Sequence, residues 1–186
     1  MGVLAEDIER KIVERARNGD RSAMKQIYDC YVGYLTATCS RYLPDKGELR
    51  DVLQDSFVNI FSSLDKFTYR GEGSLKAWMT RIVVNDALKA LRRKKPLPLS
   101  PVLSDITEDE VPDFDRIPLD VLQGMIRKLP EGYRTVFNLF VFEEKSHKEI
   151  ASLLGIKENS SASQLHHAKA LLARWIKDYI KHSDNG

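Results

Sequence analysis

The chain has 186 residues carrying 29 Lys and Arg against 27 Asp and Glu, a net charge of only +2, so it holds one large domain or two small ones that each bury only about 60% of their unfolded surface. Its two cysteines, Cys30 and Cys39, form no CxxC and no charged start leads into an apolar run with a cleavage site, which argues against a disulfide-stapled secreted protein. The longest apolar run, 136–142, contains Asn138 and is far short of the ~20 residues that span a bilayer, so a reduced, cytoplasmic protein with no membrane insertion is expected.

Apolar spacing is helical along most of the chain, and no period-two strand pattern or internal repeat appears, so the expected class is all-α. Asp7 can cap a first helix that ends near Gly19. A second places Ile27, Tyr28, Tyr31 and Leu35 at core spacing. A third, over 48–64, buries Val52, Leu53, Phe57, Ile60, Phe61 and Leu64 and turns Asp51, Gln54, Asp55 and Asn59 outward. An acidic outward face of this kind is usually only solvated.

The next segment is the most informative. From Lys66 to Lys95 the bases Lys66, Arg70, Lys76, Arg81, Lys89, Arg92, Arg93, Lys94 and Lys95 face only two acids, Glu72 and Asp86, a local +7. Phe67, Tyr69 and Trp78 lie among them, combining rings that stack on unpaired bases with charges that neutralise phosphates. A basic solvated face around a core tryptophan is the competing reading. Ser74 can cap a fourth helix whose buried stripe is Leu75, Trp78, Met79, Ile82 and Val83. Its opposite ridge aligns Arg81, Asn85, Lys89 and Arg92, so that cations flank one amide able to read a base edge. The preceding loop, 67–73, has glycines at 71 and 73 that let backbone approach a ligand, and it can receive a base turned out of the stack.

Between 96 and 117 lie Pro96, Pro98, Pro101 and Pro112 with six acids and a single base, Arg116. This composition predicts a flexible, extended acidic linker joining two small helical domains, 1–95 and 118–186. In the second, Leu119, Leu122, Ile126 and Leu129 mark an amphipathic helix ended by Pro130, and 133–142 is mostly core. Ser146 and Glu149 have capping-box spacing; Ile150, Ala151 and Leu154 follow, Gly155 turns the chain, and a long helix buries Leu165, Ala168, Leu172, Ile176 and Tyr179. The spacing is that of a helix-turn-helix in a four-helix domain, offering Lys157, Asn159, Ser160, Ser163, Gln164 and His167 to a major groove, although an ordinary helical hairpin shares the pattern. His166 and His167 point about 100° apart on a helix with no third ligand near, so no metal site is expected. No phosphate-cradling glycine loop, carboxylate cluster or nucleophile with its base occurs at usable spacing, so neither an enzyme nor a cofactor is expected.

Taken in order, several segments resemble the extracytoplasmic-function (group IV) sigma factors of bacterial RNA polymerase: 51–57 (DVLQDSF), 75–85 (LKAWMTRIVVN), the basic 91–93, Leu129-Pro130 with Arg134, Glu149-Ile150-Ala151 with Gly155-Ile156, and Ser163-Gln164-Leu165 with Ala168-Lys169. The resemblance covers nearly the whole chain. It implies that Asp51, Gln54 and Asp55 dock on the β′ clamp helices of core polymerase, with the β flap as a second contact. It implies that the loop and ridge (Phe67, Tyr69, Arg70, Lys76, Arg81, Asn85, Lys89, Arg92, Arg93) capture a base flipped from the minus-ten element. The helix-turn-helix would read the minus-thirty-five duplex, and an anti-sigma factor would be a partner. Relatives often carry arginine where this chain has Ala162 and His167, which implies a weaker phosphate grip. The alternative is a stand-alone helix-turn-helix regulator that binds duplex DNA without polymerase.

Overall fold

A computed structural model describes residues 2–94 and 117–184. Among them the regular structure is entirely helical, as the spacing predicts. The chain divides into two compact units, Met1–Lys94 and Lys95–Gly186. The first holds α1 (Gly2–Arg17), α2 (Arg21–Ser40), α3 (Lys46–Ser62) and α4 (Ser74–Lys94), with a single 3-10 turn at Leu64–Lys66; the second holds α5 (Leu119–Lys128), α6 (Glu131–Val141), α7 (His147–Leu154) and α8 (Glu158–Asp184). The predicted linker, 96–117, lies outside the described residues except for Ile117, which is buried in the core of the second unit rather than extended in solvent. No described helix is long and apolar enough to cross a membrane.

In the first unit carboxylates set the starts of α2 and α3. Asp20 accepts from the backbone N–H groups of Ser22 (2.8 Å) and Ala23 (3.2 Å) at the head of α2, and Asp45 accepts from Glu48 N–H (2.8 Å) at the head of α3. The Arg15 guanidinium bonded to Asp20 holds that carboxyl below its usual range. Apolar stripes of the four helices then close on Val13, Ile27, Leu35, Ile60, Met79, Val83 and Leu88, all buried. Three expectations change here. Asp7 sits inside α1, which begins at Gly2, and so is not its cap. Tyr28 is 43% exposed, its ring lying over Phe57 at 4.7 Å instead of entering the core. Ser74 is the first residue of α4, whose opening bond runs from Ala77 N–H to the Gly73 carbonyl at 2.9 Å; the Ser74 hydroxyl instead accepts from Arg70 N–H at 3.2 Å, folding the loop onto the helix start.

The second unit packs Ile117, Met125, Ile126, Leu129, Tyr133, Ala168, Leu172 and Ile176 into one cluster. Leu119, predicted inward, is 69% exposed in the first turn of α5. The joint between α5 and α6 explains why Leu129-Pro130 and Arg134 occur together. Pro130 cannot continue α5 and begins α6, leaving the last carbonyls of α5 without intrahelical partners. Arg134, itself buried, donates through Nη1 to the carbonyls of Arg127 (3.2 Å) and Leu129 (3.0 Å). Desolvation in that position lowers the guanidinium from its ordinary range. The expected capping box forms: Ser146 N–H donates to Glu149 Oε2 at 2.8 Å and Glu149 N–H to Ser146 Oγ at 3.3 Å. Gly155 ends α7 at φ +68, a left-handed turn that glycine adopts without strain, and its N–H returns to the Ala151 carbonyl.

Candidate nucleic-acid interface

On α3 the side chains of Asp51, Gln54 and Asp55 are exposed on one face. Val58, one turn further and 62% exposed, adds an apolar element to that face which charge patterning alone does not single out. Asn59 is exposed on the same face, as expected, and its amide also reaches α4, donating to Asp86 Oδ2 at 2.9 Å.

On α4 the ridge exposes Arg81, Lys89, Arg92 and Arg93, with Asn85 partly exposed between Arg81 and Lys89. Lys89 Nζ lies 2.9 Å from Asp86 Oδ1, and Arg92 Nε reaches back 3.4 Å to the Leu88 carbonyl. Lys76 is exposed but is held over the Tyr34 ring, 3.9 Å from its centroid, so its charge lies against α2.

The loop corrects the sequence reading most sharply. Phe67 is 4% exposed, with its ring 5.3 Å from Trp78, so it belongs to the core and is not available to stack on a base. The cause is Arg17 at the end of α1, which donates from Nε to the Leu64 carbonyl (2.9 Å) and from Nη2 to the Phe67 carbonyl, drawing the turn against α1. Arg70 remains exposed and Tyr69 is half-buried. The backbone reverses at Gly71 (φ +108) and Gly73 (φ +78), left-handed conformations that a side chain would oppose.

In the second unit Lys157, Asn159 and Ser163 are exposed and Ser160 is half-buried. Gln164 and His167 are not available to a groove: they are 4% and 9% exposed, and the His167 ring stacks on buried Tyr133 at 5.6 Å. Gln164 lies about 140° round the helix from Asn159, on the side that packs inward. The outward stripe is Asn159, Ala162, Ser163 and His166. Fully buried Ser161 bonds His147 Nδ1 at 3.0 Å, tying α7 to α8, and the His147 ring stacks on Phe140 at 4.9 Å.

Neither cysteine is placed for chemistry of this kind. Cys30 is exposed; Cys39 is buried and its thiol is pushed up to about 12 by desolvation, which leaves it protonated. Among the described residues no three His, Cys, Asp or Glu side chains gather as a metal site.

Set beside known proteins, the chain matches the model for sigma-70 region 2 over residues 27–96 and that for sigma-70, region 4 over residues 119–172. It is 26% identical over 185 residues to the ECF RNA polymerase sigma factor SigW of Bacillus subtilis, spanning 91% of this chain and 97% of that protein. It is 24% identical over 197 residues to the RNA polymerase sigma-H factor of Pseudomonas aeruginosa, spanning 96% and 99%. The solved structure of CnrH in complex with the cytosolic domain of CnrY is similar at a TM-score of 0.48 and 22% identity, covering 91% of this chain and 97% of that one. With region 2 followed by region 4 and relatives aligned over nearly their whole length, the chain belongs to the extracytoplasmic-function group of the sigma-70 family, alternative sigma factors that direct promoter-specific transcription.

Proposed function

We propose that the first unit carries both polymerase docking and minus-ten recognition, and that the second reads the minus-thirty-five duplex. The observation that supports this division is the placement of an acidic face and a basic, amide-bearing ridge on adjoining helices of one unit. Asp51, Gln54, Asp55 and Val58 on α3 offer two carboxylates with an apolar residue one turn beyond them, a surface suited to a basic partner such as the β′ clamp helices. Arg81 and Lys89 on α4, with Arg70 in the loop, offer phosphate contacts around the one base-reading amide of Asn85. Opening then proceeds by trapping an unstacked base, without covalent chemistry. The second unit presents Lys157, Asn159, Ser163 and His166 to a major groove, with the β flap as its polymerase contact. An anti-sigma factor is a further partner of this reading; it would cover the docking face and the ridge.

The deciding experiment is run-off transcription from a promoter library with purified bacterial core polymerase, with and without the chain. Transcripts that require the chain support the reading, and their upstream sequences give the promoter elements. A sequence-specific shift of duplex DNA by the chain alone, with no transcripts, supports a stand-alone regulator instead.

Two substitutions probe the separate surfaces. Asp55→Lys reverses a charge on the docking face and is expected to weaken core polymerase binding about tenfold. Equal affinities of variant and parent for core polymerase would remove Asp55 from the interface. Ala162→Arg adds a cation to the exposed stripe of α8. Holoenzyme carrying it should bind promoter duplex more tightly, with the slope of log affinity against log salt steeper by about 0.9, one phosphate contact. An unchanged slope would show that Ala162 faces away from the DNA.

A further inference from the structure

Asp86 is one of only two acids in the basic 66–95 segment, and nothing in the sequence pattern gives it a task. In the fold its carboxylate is only 11% exposed and gathers three donors. Oδ2 accepts from the hydroxyl of Ser56 at 3.2 Å and from the amide of Asn59 at 2.9 Å, both on α3; Oδ1 accepts from Lys89 at 2.9 Å on its own helix. Ser56 is fully buried and adjoins Asp55 of the docking face; Asn59 is one turn beyond Asp55. Asp86 itself follows Asn85 directly. A single carboxylate therefore spans the seam between the two functional helices, at the level where their outward faces begin.

Apolar packing between α3 and α4 fixes their separation but resists sliding only weakly, because stripes of similar side chains interdigitate in several nearby registers. Directional bonds from Ser56 and Asn59 to one carboxylate oxygen do resist it. We infer that Asp86 is a positioning residue that pins the ridge of α4 to the docking helix α3, so that Asn85 and Lys89 are held in a set register relative to the surface that engages polymerase. The inference rests on the docking-and-capture reading above. The two sides of the carboxylate are separable in kind: its α3 side holds the register, while its other oxygen holds the Lys89 ammonium.

The test uses the full chain with core polymerase on a promoter the parent protein opens, at a temperature well below the melting point of every variant. Asp86→Ala should bind core polymerase within about twofold of the parent, since the exposed docking side chains are untouched. It should reduce permanganate reactivity of the promoter bubble by about tenfold or more at saturating holoenzyme, because a displaced base-reading group loses most of its effect. The double substitution Ser56→Ala with Asn59→Ala removes the same bonds from the α3 side and should reproduce that defect without altering α4. Asp86→Asn keeps an acceptor oxygen for Ser56 and Asn59 while releasing Lys89, and should open the promoter within about threefold of the parent. A parent-like bubble with Asp86→Ala or with the double variant, accompanied only by a lower melting temperature, overturns the inference. So does an Asp86→Asn defect as deep as that of Asp86→Ala. A parent chain that opens no promoter refutes the docking-and-capture reading, and this inference falls with it.

Discussion

Asn85→Ala is expected to leave core polymerase affinity unchanged and to cut promoter opening about tenfold to a hundredfold. The argument starts from position. Asn85 is partly exposed on the α4 ridge, one turn after Arg81 and one turn before Lys89, so phosphates held by those cations bring a base edge within reach of its amide. An amide that donates and accepts at one base is worth about 1–3 kcal/mol of discrimination, a factor of about 5 to 160 that brackets the range given. Alanine is a better helix former than asparagine and the site is at the surface, so α4 itself is not weakened. Permanganate footprinting of the bubble at saturating holoenzyme separates this from a binding defect; equal reactivity in parent and variant would remove Asn85 from base capture. Arg81→Ala should behave differently, lowering the salt dependence of promoter binding by about 0.9 while leaving the opened fraction at saturation close to the parent's.

Much of the frame of both units is legible in the chain, and the reason is that its determinants are local. The buried stripes of α3 and α4 repeat every third and fourth residue, the capping box of Ser146 and Glu149 lies within one turn, and Gly155 marks the end of α7. The exposed faces bearing Asp51, Gln54, Asp55, Arg81 and Lys89 follow from those stripes as their complement.

What the chain hides depends on partners far along it. Phe67 reads as a base platform because it stands among cations; it is buried because Arg17 holds carbonyls 47 and 50 residues further on. Asp86 reads as a stray charge, yet its α3 donors lie 27 and 30 residues before it. Gln164 and His167 are polar residues near the flank of an amphipathic helix, where the boundary between buried and exposed is set by what packs there. Tyr133, arriving from α6, draws His167 inward and leaves His166 outside. In each case a polar or aromatic side chain is claimed by tertiary structure, and residue type alone points the wrong way.

A buried polar contact across the joint between α5 and α6 makes the second unit sensitive to one substitution. Arg134→Ala is expected to destabilise it by about 3 kcal/mol, since the last carbonyls of α5 lose charge-assisted bonds inside the core and a cavity replaces the guanidinium stem. Pro130 directly follows Leu129 and ends α5, so the helix does not extend to supply substitute N–H groups for the Arg127 and Leu129 carbonyls. For a unit of this size that loss corresponds to a fall in melting temperature of roughly 12–24 °C. Calorimetry of the full chain should show the drop confined to one of two transitions if the units melt separately. Arg134→Met, which restores apolar volume without donors, should recover less than half of it, because the carbonyls and not the packing are the larger part. Full recovery by methionine would mean that Arg134 serves the core by its aliphatic stem. The functional corollary is selective: at a temperature where only the second unit is lost, minus-thirty-five recognition should fail while polymerase docking through α3 persists.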